Sequence, residues 1–315
     1  MFNKGIQEKL NYYFRVNLNL KDSTNDFIRG DCPFCGGRFT FGVNLSSNRT
    51  NCFKCEYDKR PTYAIMELEN LNNYSELTKL LSNADSWEFI PKLEKHRTKT
   101  VVAKEVSLPD YYRPILLGES QLGKSARSYL KSRGYNLKSL ALKGIGYCYD
   151  GPYYGFIVIP YYLRGELIYW KTRSFIGAKA FNNPDEDMFG IGKSNLIYNI
   201  DALALYNTVN IVESETNTLT LGDNTIGLGG KSISDWQFSC LIKSPVEKYN
   251  ILLDPDAIED ALNLSMRLIQ YKRIKCVSWV GTQDVNDLGK RVTKYYIKHT
   301  PEKSYSQLLK QKLEL

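Results

Sequence analysis

Three segments in the last third of the chain decide the fold: residues 209–213 (VNIVE), 249–256 (YNILLDPD) and 274–287 (IKCVSWVGTQDVND). Each begins with a short apolar run and ends with acidic side chains. Helical stretches separate them, and residues 257–272 carry apolar side chains at the spacing of one buried helix face. Short apolar strands that alternate with helices predict a parallel sheet covered on both faces. The last third is therefore predicted to be an α/β unit.

The acidic side chains occupy equivalent places, at or shortly after the end of each apolar run. They are Glu213, Asp254, Asp256, Asp284 and Asp287. Any one of them alone would be interpreted as a surface carboxylate or, for Asp256, as a helix cap. The carboxyl ends of neighbouring parallel strands lie along one edge of a sheet, so we expect these side chains to converge. Clustered carboxylates repel one another unless divalent cations neutralise them, which predicts a Mg²⁺ or Mn²⁺ site for phosphoryl or nucleotidyl transfer.

Two C-x-x-C pairs lie near the amino end, Cys32 with Cys35 and Cys52 with Cys55, and sixteen residues separate the pairs. This spacing is typical of one tetrahedral Cys₄ zinc in a β ribbon. Because such a site has no open coordination position, the zinc is predicted to be structural. The ribbon surface carries basic and aromatic side chains that either hold single-stranded bases or form the small core of the ribbon. They are Arg38, Phe39, Arg49, Phe53 and Lys54.

Positive charge is concentrated between the ribbon and the α/β unit. The chain has a net charge of +8, whereas residues 92–180 alone carry a net charge of +10. A localised basic stretch favours a polyanionic partner, although a solvated basic face is the alternative interpretation. Residues 155–163 and 166–175 alternate like two strands of a hairpin. The basic side chains in and just after this hairpin are Arg164, Lys171, Arg173 and Lys179.

Composition divides the chain into four parts: a zinc ribbon at residues 1–80, a linker at 81–107, a basic subdomain at 108–205 and the α/β unit with C-terminal helices at 206–315. The linker is charged and has little periodicity. No apolar run reaches membrane-spanning length, and the amino end lacks the pattern of a secretory signal. We therefore expect a cytoplasmic protein without a membrane partner.

The strand-end acids also carry a resemblance to a known family. Residues 212–217 (VESETN), 253–256 (LDPD) and 284–288 (DVNDL) resemble the glutamate, D-x-D and final acidic motifs of a Toprim domain. Residues 125–147 and 156–199 resemble the entry and the basic subdomain of a DnaG-type primase core. With the ribbon in front, the resemblance covers nearly the whole chain and extends to phage primases. It implies a zinc ribbon, a mixed α+β basic subdomain and a Toprim-type, mostly parallel α/β sheet flanked by helices.

The resemblance implies a DNA primase that makes short RNA primers by two-metal nucleotidyl transfer. Its partners would be a single-stranded DNA template, ribonucleoside triphosphates and a separate replicative helicase, and its cofactors would be structural Zn²⁺ and catalytic Mg²⁺ or Mn²⁺. Glu213 and Asp254 would be the central metal ligands, and Asp256, Asp284 and Asp287 would contribute. The implied phosphate ligands are Arg164, Lys171, Arg173 and Lys179.

Two amides depart from the family pattern: Asn217, where the family has an acid, and Asn286 within DVND. They leave a catalytically weak single-strand-binding adaptor as one alternative, unless Glu215 or Asp287 compensates for the missing charge. A Toprim nuclease or topoisomerase is a second alternative, because it would use similar acids. A P-loop ATPase or helicase component is a third, since residues 118–125 (GESQLGKS) satisfy the P-loop pattern. That interpretation requires a buried strand before the loop and a helix after it.

Overall fold

The computed structural model describes most of the chain, in these ranges: residues 2–24, 27–82, 90, 105–177, 183–184 and 191–315. Most of the predicted linker lies outside the described residues, as does Lys179. In the described ranges, no helix is both long enough and apolar enough to span a bilayer.

The amino-terminal unit, residues 2–82, contains the zinc ribbon and is called the ribbon unit below. It consists of a helix, an antiparallel sheet of five strands and two further helices. Its elements are α1 (Lys4–Tyr12), which continues as a π-helical turn (Tyr13–Asn17), β1 (Lys21–Thr24), β2 (Phe27–Gly30), β3 (Phe41–Asn44), β4 (Arg49–Cys52), β5 (Asp58–Lys59), α2 (Pro61–Leu68) and α3 (Tyr74–Leu81). The strands pair in sequence order. Pro61 begins α2, where a missing backbone N–H costs nothing, and the side chain of Asn73 caps α3.

The middle unit is built on a second antiparallel sheet, in the order β6-β7-β8-β9. Its elements are β6 (Tyr112–Pro114), α4 (Gln121–Ser132), α5 (Leu137–Ala141), β7 (Gly146–Cys148), β8 (Phe156–Leu163) and β9 (Glu166–Ser174). The predicted hairpin is confirmed as β8 and β9. Arg164 and Gly165 have φ of 54° and 86°, the left-handed conformation that a tight two-residue hairpin turn requires.

The P-loop interpretation fails on its structural condition. Residues 118–120 lead directly into α4, which contains the rest of the pattern, but the preceding strand β6 is a three-residue antiparallel strand at the edge of its sheet. The hydroxyl of Tyr147 lies against both glycines of the pattern, because a Cβ added at Gly118 or Gly123 would lie 2.6 Å from its oxygen. A side chain therefore lies between the two glycines, where a phosphate would have to bind.

The carboxyl-terminal unit alternates strands and helices around a parallel sheet in the order β11-β10-β12-β13, as the apolar pattern predicts. Its elements are α6 (Ala202–Leu205), β10 (Thr208–Val212), α7 (Glu215–Leu221), β11 (Thr225–Gly227), α8 (Asp235–Lys243), β12 (Lys248–Leu252), α9 (Ile258–Leu268), β13 (Arg273–Cys276), α10 (Val285–His299) and α11 (Tyr305–Leu313). The edge strand β11 was not predicted, because three residues are too few to show a periodicity.

The packing of the core joins the two ends of the chain. Side chains of the ribbon unit, such as Phe14 and Leu77, lie in the same buried cluster as Val209 and Ile251 of the parallel sheet. Backbone contacts reinforce this junction, because the N–H of Asn3 donates to the carbonyl of Leu205 at 2.8 Å. The middle unit buries a separate cluster, and a third, smaller cluster lies on the α7 and α10 side of the parallel sheet.

Candidate zinc centre and carboxylate edge

The four cysteines of the ribbon form one compact cluster. Their sulfurs all lie within 4.8 Å of one another, and across the described ranges no other group of three or more metal-binding side chains is found. The Sγ atoms of Cys32 and Cys55 are 3.9 Å apart, and those of Cys35 and Cys52 are 3.8 Å apart. Sulfurs bound to Zn²⁺ at about 2.3 Å form a tetrahedron with edges of about 3.8 Å. The cluster therefore fits one structural zinc ion.

The ribbon surface carries two exposed rings. Phe39 and Phe53 are 65% and 66% exposed, whereas Phe41 is fully buried and forms part of the core. The guanidinium of Arg29 lies 5.4 Å from the centre of the Phe53 ring. Exposed rings next to cations are the features on which single-stranded bases stack. Of the predicted cations on this surface, Arg49 forms an ion pair with Asp58 at 2.5 Å.

Strand register places the candidate acids along one edge of the parallel sheet. β10 and β12 are neighbours, paired in register to their last residues. Glu213 directly follows β10, and Asp254 lies two residues after β12. Asp284 is the N-cap of α10, where its side chain accepts a hydrogen bond from the backbone N–H of Asp287 at 2.8 Å. The acids therefore share the carboxyl edge, where ligands of α/β sheets bind.

Asp254 is the electrostatic focus of this edge. Burial, together with the nearby charges of Asp284 and Asp256, raises the pKa of Asp254 to about 6. Asp256 is exposed and forms an ion pair with Lys231, whose hydrogen bond lowers the pKa of Asp256. No three carboxylates among the described residues have their oxygens as close together as the cysteine sulfurs. A hard divalent cation suits these oxygen donors and would relieve the repulsion at Asp254.

Both amides that depart from the family pattern are buried and hydrogen-bonded. Nδ2 of Asn217 donates to Oδ1 of Asp254 at 3.2 Å, and Oδ1 of Asn217 accepts the backbone N–H of Asn286 at 3.2 Å. Oδ1 of Asn286 accepts Nε–H of Arg133 at 3.1 Å, and Nδ2 of Asn286 donates to Oγ1 of Thr220 at 2.7 Å. A continuous chain of bonds thus connects Arg133, at the end of α4, with Asp254.

An aspartate at position 217 would bring another carboxylate against Asp254 and could not donate this hydrogen bond. Without added divalent cation, we expect Asn217→Asp to lower the free energy of unfolding by about 1–3 kcal/mol. We expect Mg²⁺ to restore stability, because the added carboxylate can bind the cation. Thermal unfolding with and without Mg²⁺ measures both effects.

The matched control is Asn217→Leu, which loses both hydrogen bonds of the Asn217 side chain but adds no charge. We expect this variant to be destabilised and to gain no more from Mg²⁺ than the unaltered protein gains. The same response to Mg²⁺ in the two variants would contradict the placement of position 217 at a metal-binding edge.

Lys171 forms a largely buried ion pair with Glu215. Its Nζ lies 2.6 Å from Oε1 of Glu215, and the two side chains are 17% and 13% exposed. The hydroxyl of Tyr161 donates to the same carboxylate. Burial acts to raise the pKa of Glu215, but the Lys171 ammonium and the hydrogen bonds outweigh it, so the pKa is lowered. The pair holds the β8–β9 hairpin against the amino end of α7. The ammonium group of Lys171, which the sequence predicts to bind phosphate, is therefore already paired with a carboxylate.

We expect Lys171→Met to lower the free energy of unfolding by about 3–5 kcal/mol at pH 8, because it leaves Glu215 buried without a counter-charge. The pKa of Glu215 lies below its unfolded value in the unaltered protein, so the ion pair stabilises at neutral pH and that stability is lost in acid. In the variant, burial raises the pKa instead. Its deficit relative to the unaltered protein therefore shrinks as the pH falls from 8 to 5, which urea unfolding at the two pH values measures.

The companion variant is Lys171→Met with Glu215→Gln, in which no charge remains. We expect it to recover most of the stability that Lys171→Met loses at pH 8. If the double variant were as unstable as Lys171→Met, loss of packing would explain the effect and the charge argument would be wrong.

The other predicted phosphate ligands lie apart from one another. Arg164 is exposed at the hairpin turn, where its backbone N–H donates to Asp201 at 3.2 Å. Nε of Arg173 donates to the hydroxyl of Tyr129 at 3.1 Å, near the far end of β9. Lys179 lies outside the described residues. Phosphate contacts by these side chains remain a prediction.

No protein-family model matches the chain, and no curated protein sequence matches it significantly. Solved structures do match. The Aquifex aeolicus primase (zinc-binding and RNA polymerase domains) is 18% identical with a TM-score of 0.53, over 98% of this chain and 90% of that one. The DnaG primase catalytic domain bound to single-stranded DNA is 18% identical with a TM-score of 0.53, over 64% and 78%. The E. coli primase catalytic core is 16% identical with a TM-score of 0.52, over 62% and 78%.

Proposed function

We propose, from a fold shared with the zinc-binding and RNA polymerase domains of bacterial primases, that this chain is a DNA primase that synthesises short RNA primers. The observation that carries the proposal is the order of parts along one chain: a Cys₄ ribbon, a basic antiparallel subdomain and a parallel sheet with acids along its carboxyl edge. A similar catalytic domain binds single-stranded DNA, which supports a single-stranded template here. We extend the proposal to a phage-type enzyme in the bacterial cytoplasm that works with a separate replicative helicase.

In this proposal, Mg²⁺ or Mn²⁺ supplies the positive charge that stabilises transfer of a nucleotide to the primer 3′-hydroxyl. Glu213 and Asp254 hold the cations, and the remaining acids of the edge contribute: Asp256, Asp284 and Asp287. Asn217 keeps Asp254 in one orientation through its hydrogen bond. The exposed rings of Phe39 and Phe53 offer a stacking surface for template bases.

The test is to incubate the protein with single-stranded DNA, labelled ribonucleoside triphosphates and either Mg²⁺ or Mn²⁺, and to look for short RNA. Template-dependent RNA is the expected product. Cleavage of the DNA without synthesis would instead indicate a Toprim nuclease, and binding without either reaction would indicate an adaptor. DNA-stimulated ATP hydrolysis that Lys124→Ala abolishes would support the ATPase alternative. It would also overturn the conclusion that residues 118–125 do not form a P-loop.

A further inference from the structure

A second cluster of positive charge lies where the three units of the chain meet, and Asn286 and Arg133, which the hydrogen-bonded chain connects to Asp254, form part of its lining. It surrounds a cavity of about 300 Å³. Its basic lining comes from all three units: Arg60 before α2, Arg133 and Lys143 after α4 and α5, and Lys290 in α10. Among the described residues that line it, Asp223 is the one acidic side chain.

Asp223 forms ion pairs with two of these cations. Its carboxylate lies 2.9 Å from Nη1 of Arg60 and 3.0 Å from Nζ of Lys143, and it is 5% exposed. Burial acts to raise the pKa of Asp223, but the two cations outweigh it and lower the pKa. Lys290, and Lys294 one helical turn later at the edge of an adjoining cavity, form no ion pair with any carboxylate of the described ranges. The cluster therefore holds more positive charge than its single carboxylate balances.

The excess of positive charge affects the pKa of Lys290. Burial, together with the positive charges of Lys294 and Arg60, lowers the pKa of Lys290 to about 8. Gly289 lines the cavity and interrupts α10 with a φ of 74°, so a new helical segment begins at Lys290. The amino end of a helix adds partial positive charge and backbone N–H groups, which favour bound anions.

We propose that this cavity binds phosphate groups, of a nucleotide or of a nucleic-acid backbone. Clustered Lys and Arg at a helix amino end are the groups that proteins use to bind phosphate. A volume of about 300 Å³ is at the lower end of small-molecule sites, which suits one nucleotide or a few backbone phosphates. An adjoining cavity of about 770 Å³ shares Arg60, Tyr63 and Asp223 and extends along the ribbon unit, which leaves room for further nucleotides.

The position of the site gives the bound phosphate a second effect. Arg60 belongs to the ribbon unit and Lys290 to the carboxyl-terminal unit, and their positive charges repel each other. A phosphate between them would neutralise this repulsion and so favour the packing of the two units. The ligand would stabilise the docked ribbon by mass action. This inference does not depend on catalysis at the carboxylate edge.

The test uses the full chain with Lys290→Gln and Lys294→Gln combined, and Lys298→Gln as the matched control. Lys298 lies on the same helix, is exposed and lines neither cavity. Binding of sodium triphosphate, ATP and a fluorescein-labelled single-stranded DNA oligonucleotide is measured at low salt without added divalent cation. We expect the double variant to lose about tenfold or more in affinity, the effect of one charge-assisted hydrogen bond, and the control to keep it. Lys290→Arg should also keep it.

The three probes distinguish the sources of phosphate. Lysine-dependent binding of triphosphate and ATP indicates a free nucleotide, and lysine-dependent binding of the oligonucleotide alone indicates a nucleic-acid backbone; both support the proposal. Equal affinity of the unaltered protein and the double variant for all three probes would overturn it. So would ATP binding that Asp254→Asn abolishes and the double variant retains. Thermal unfolding verifies the fold, and failure of primer synthesis leaves this test unaffected, because it requires no catalysis.

Discussion

Asp254→Asn is expected to lower the rate of RNA primer synthesis by about 100- to 1,000-fold, and Glu213→Gln by a similar factor. Each substitution keeps the shape of the side chain but removes one negative charge from the edge that would hold the cations. We expect Asp254→Asn to lose activity while it keeps its fold. Because burial and the neighbouring carboxylates raise the pKa of Asp254, removing its charge relieves both the cost of burial and the repulsion, and the melting temperature without divalent cation should not fall. Primer synthesis and thermal unfolding are the two measurements.

The control for this prediction is Asp256→Asn. Asp256 is exposed and paired with Lys231, so we expect its substitution to cost less activity than that of Asp254. Full primer synthesis by both Asp254→Asn and Glu213→Gln would refute the assignment of the carboxylate edge as the catalytic site.

Cys52→Ser is expected to abolish zinc binding and to lower the melting temperature by roughly 10 °C or more, because the free energy of structural zinc binding is part of the folding free energy. Cys52 ends β4, and its sulfur lies 3.8 Å from that of Cys35. The loss should extend beyond the ribbon, since the ribbon unit and the parallel sheet share one buried cluster. Zinc content per chain and thermal unfolding measure the two effects.

Cys148→Ala is the matched control, because Cys148 is a buried thiol in the core of the middle unit. This substitution removes a cysteine that is not one of the four zinc-binding cysteines, so it should leave one zinc per chain. An unchanged zinc content in Cys52→Ser would contradict a single four-cysteine site.

The features that the sequence predicts well are those with a local signal. Two C-x-x-C pairs specify the ribbon, because each knuckle is built from four consecutive residues. Apolar runs that end in acids specify the parallel sheet and its acidic edge, because strand direction alone puts Glu213 and Asp254 on the same side. The hairpin of β8 and β9 is equally local, with Arg164 and Gly165 at its turn.

The features that it misses are contacts between distant residues. Lys171 and Glu215 are 44 positions apart, and Arg133 and Asn286 are 153 positions apart. No periodicity or spacing marks such partners, so an ion-paired lysine and an exposed phosphate ligand look alike in the sequence. The sequence marks Asn217 and Asn286 as departures from the family pattern, but their role as donors and acceptors around Asp254 follows only from the three-dimensional arrangement.

The buried cluster shared by the two ends of the chain has a consequence for synthesis on the ribosome. The helices of the ribbon unit emerge first, yet Val209 and Ile251, which belong to the same buried cluster as Phe14 and Leu77, are translated more than a hundred residues later. The middle unit, with its own buried cluster, can fold during that interval. Until the last strands emerge, the nascent ribbon unit exposes an apolar face, and a fragment that ends before the parallel sheet would keep that face exposed.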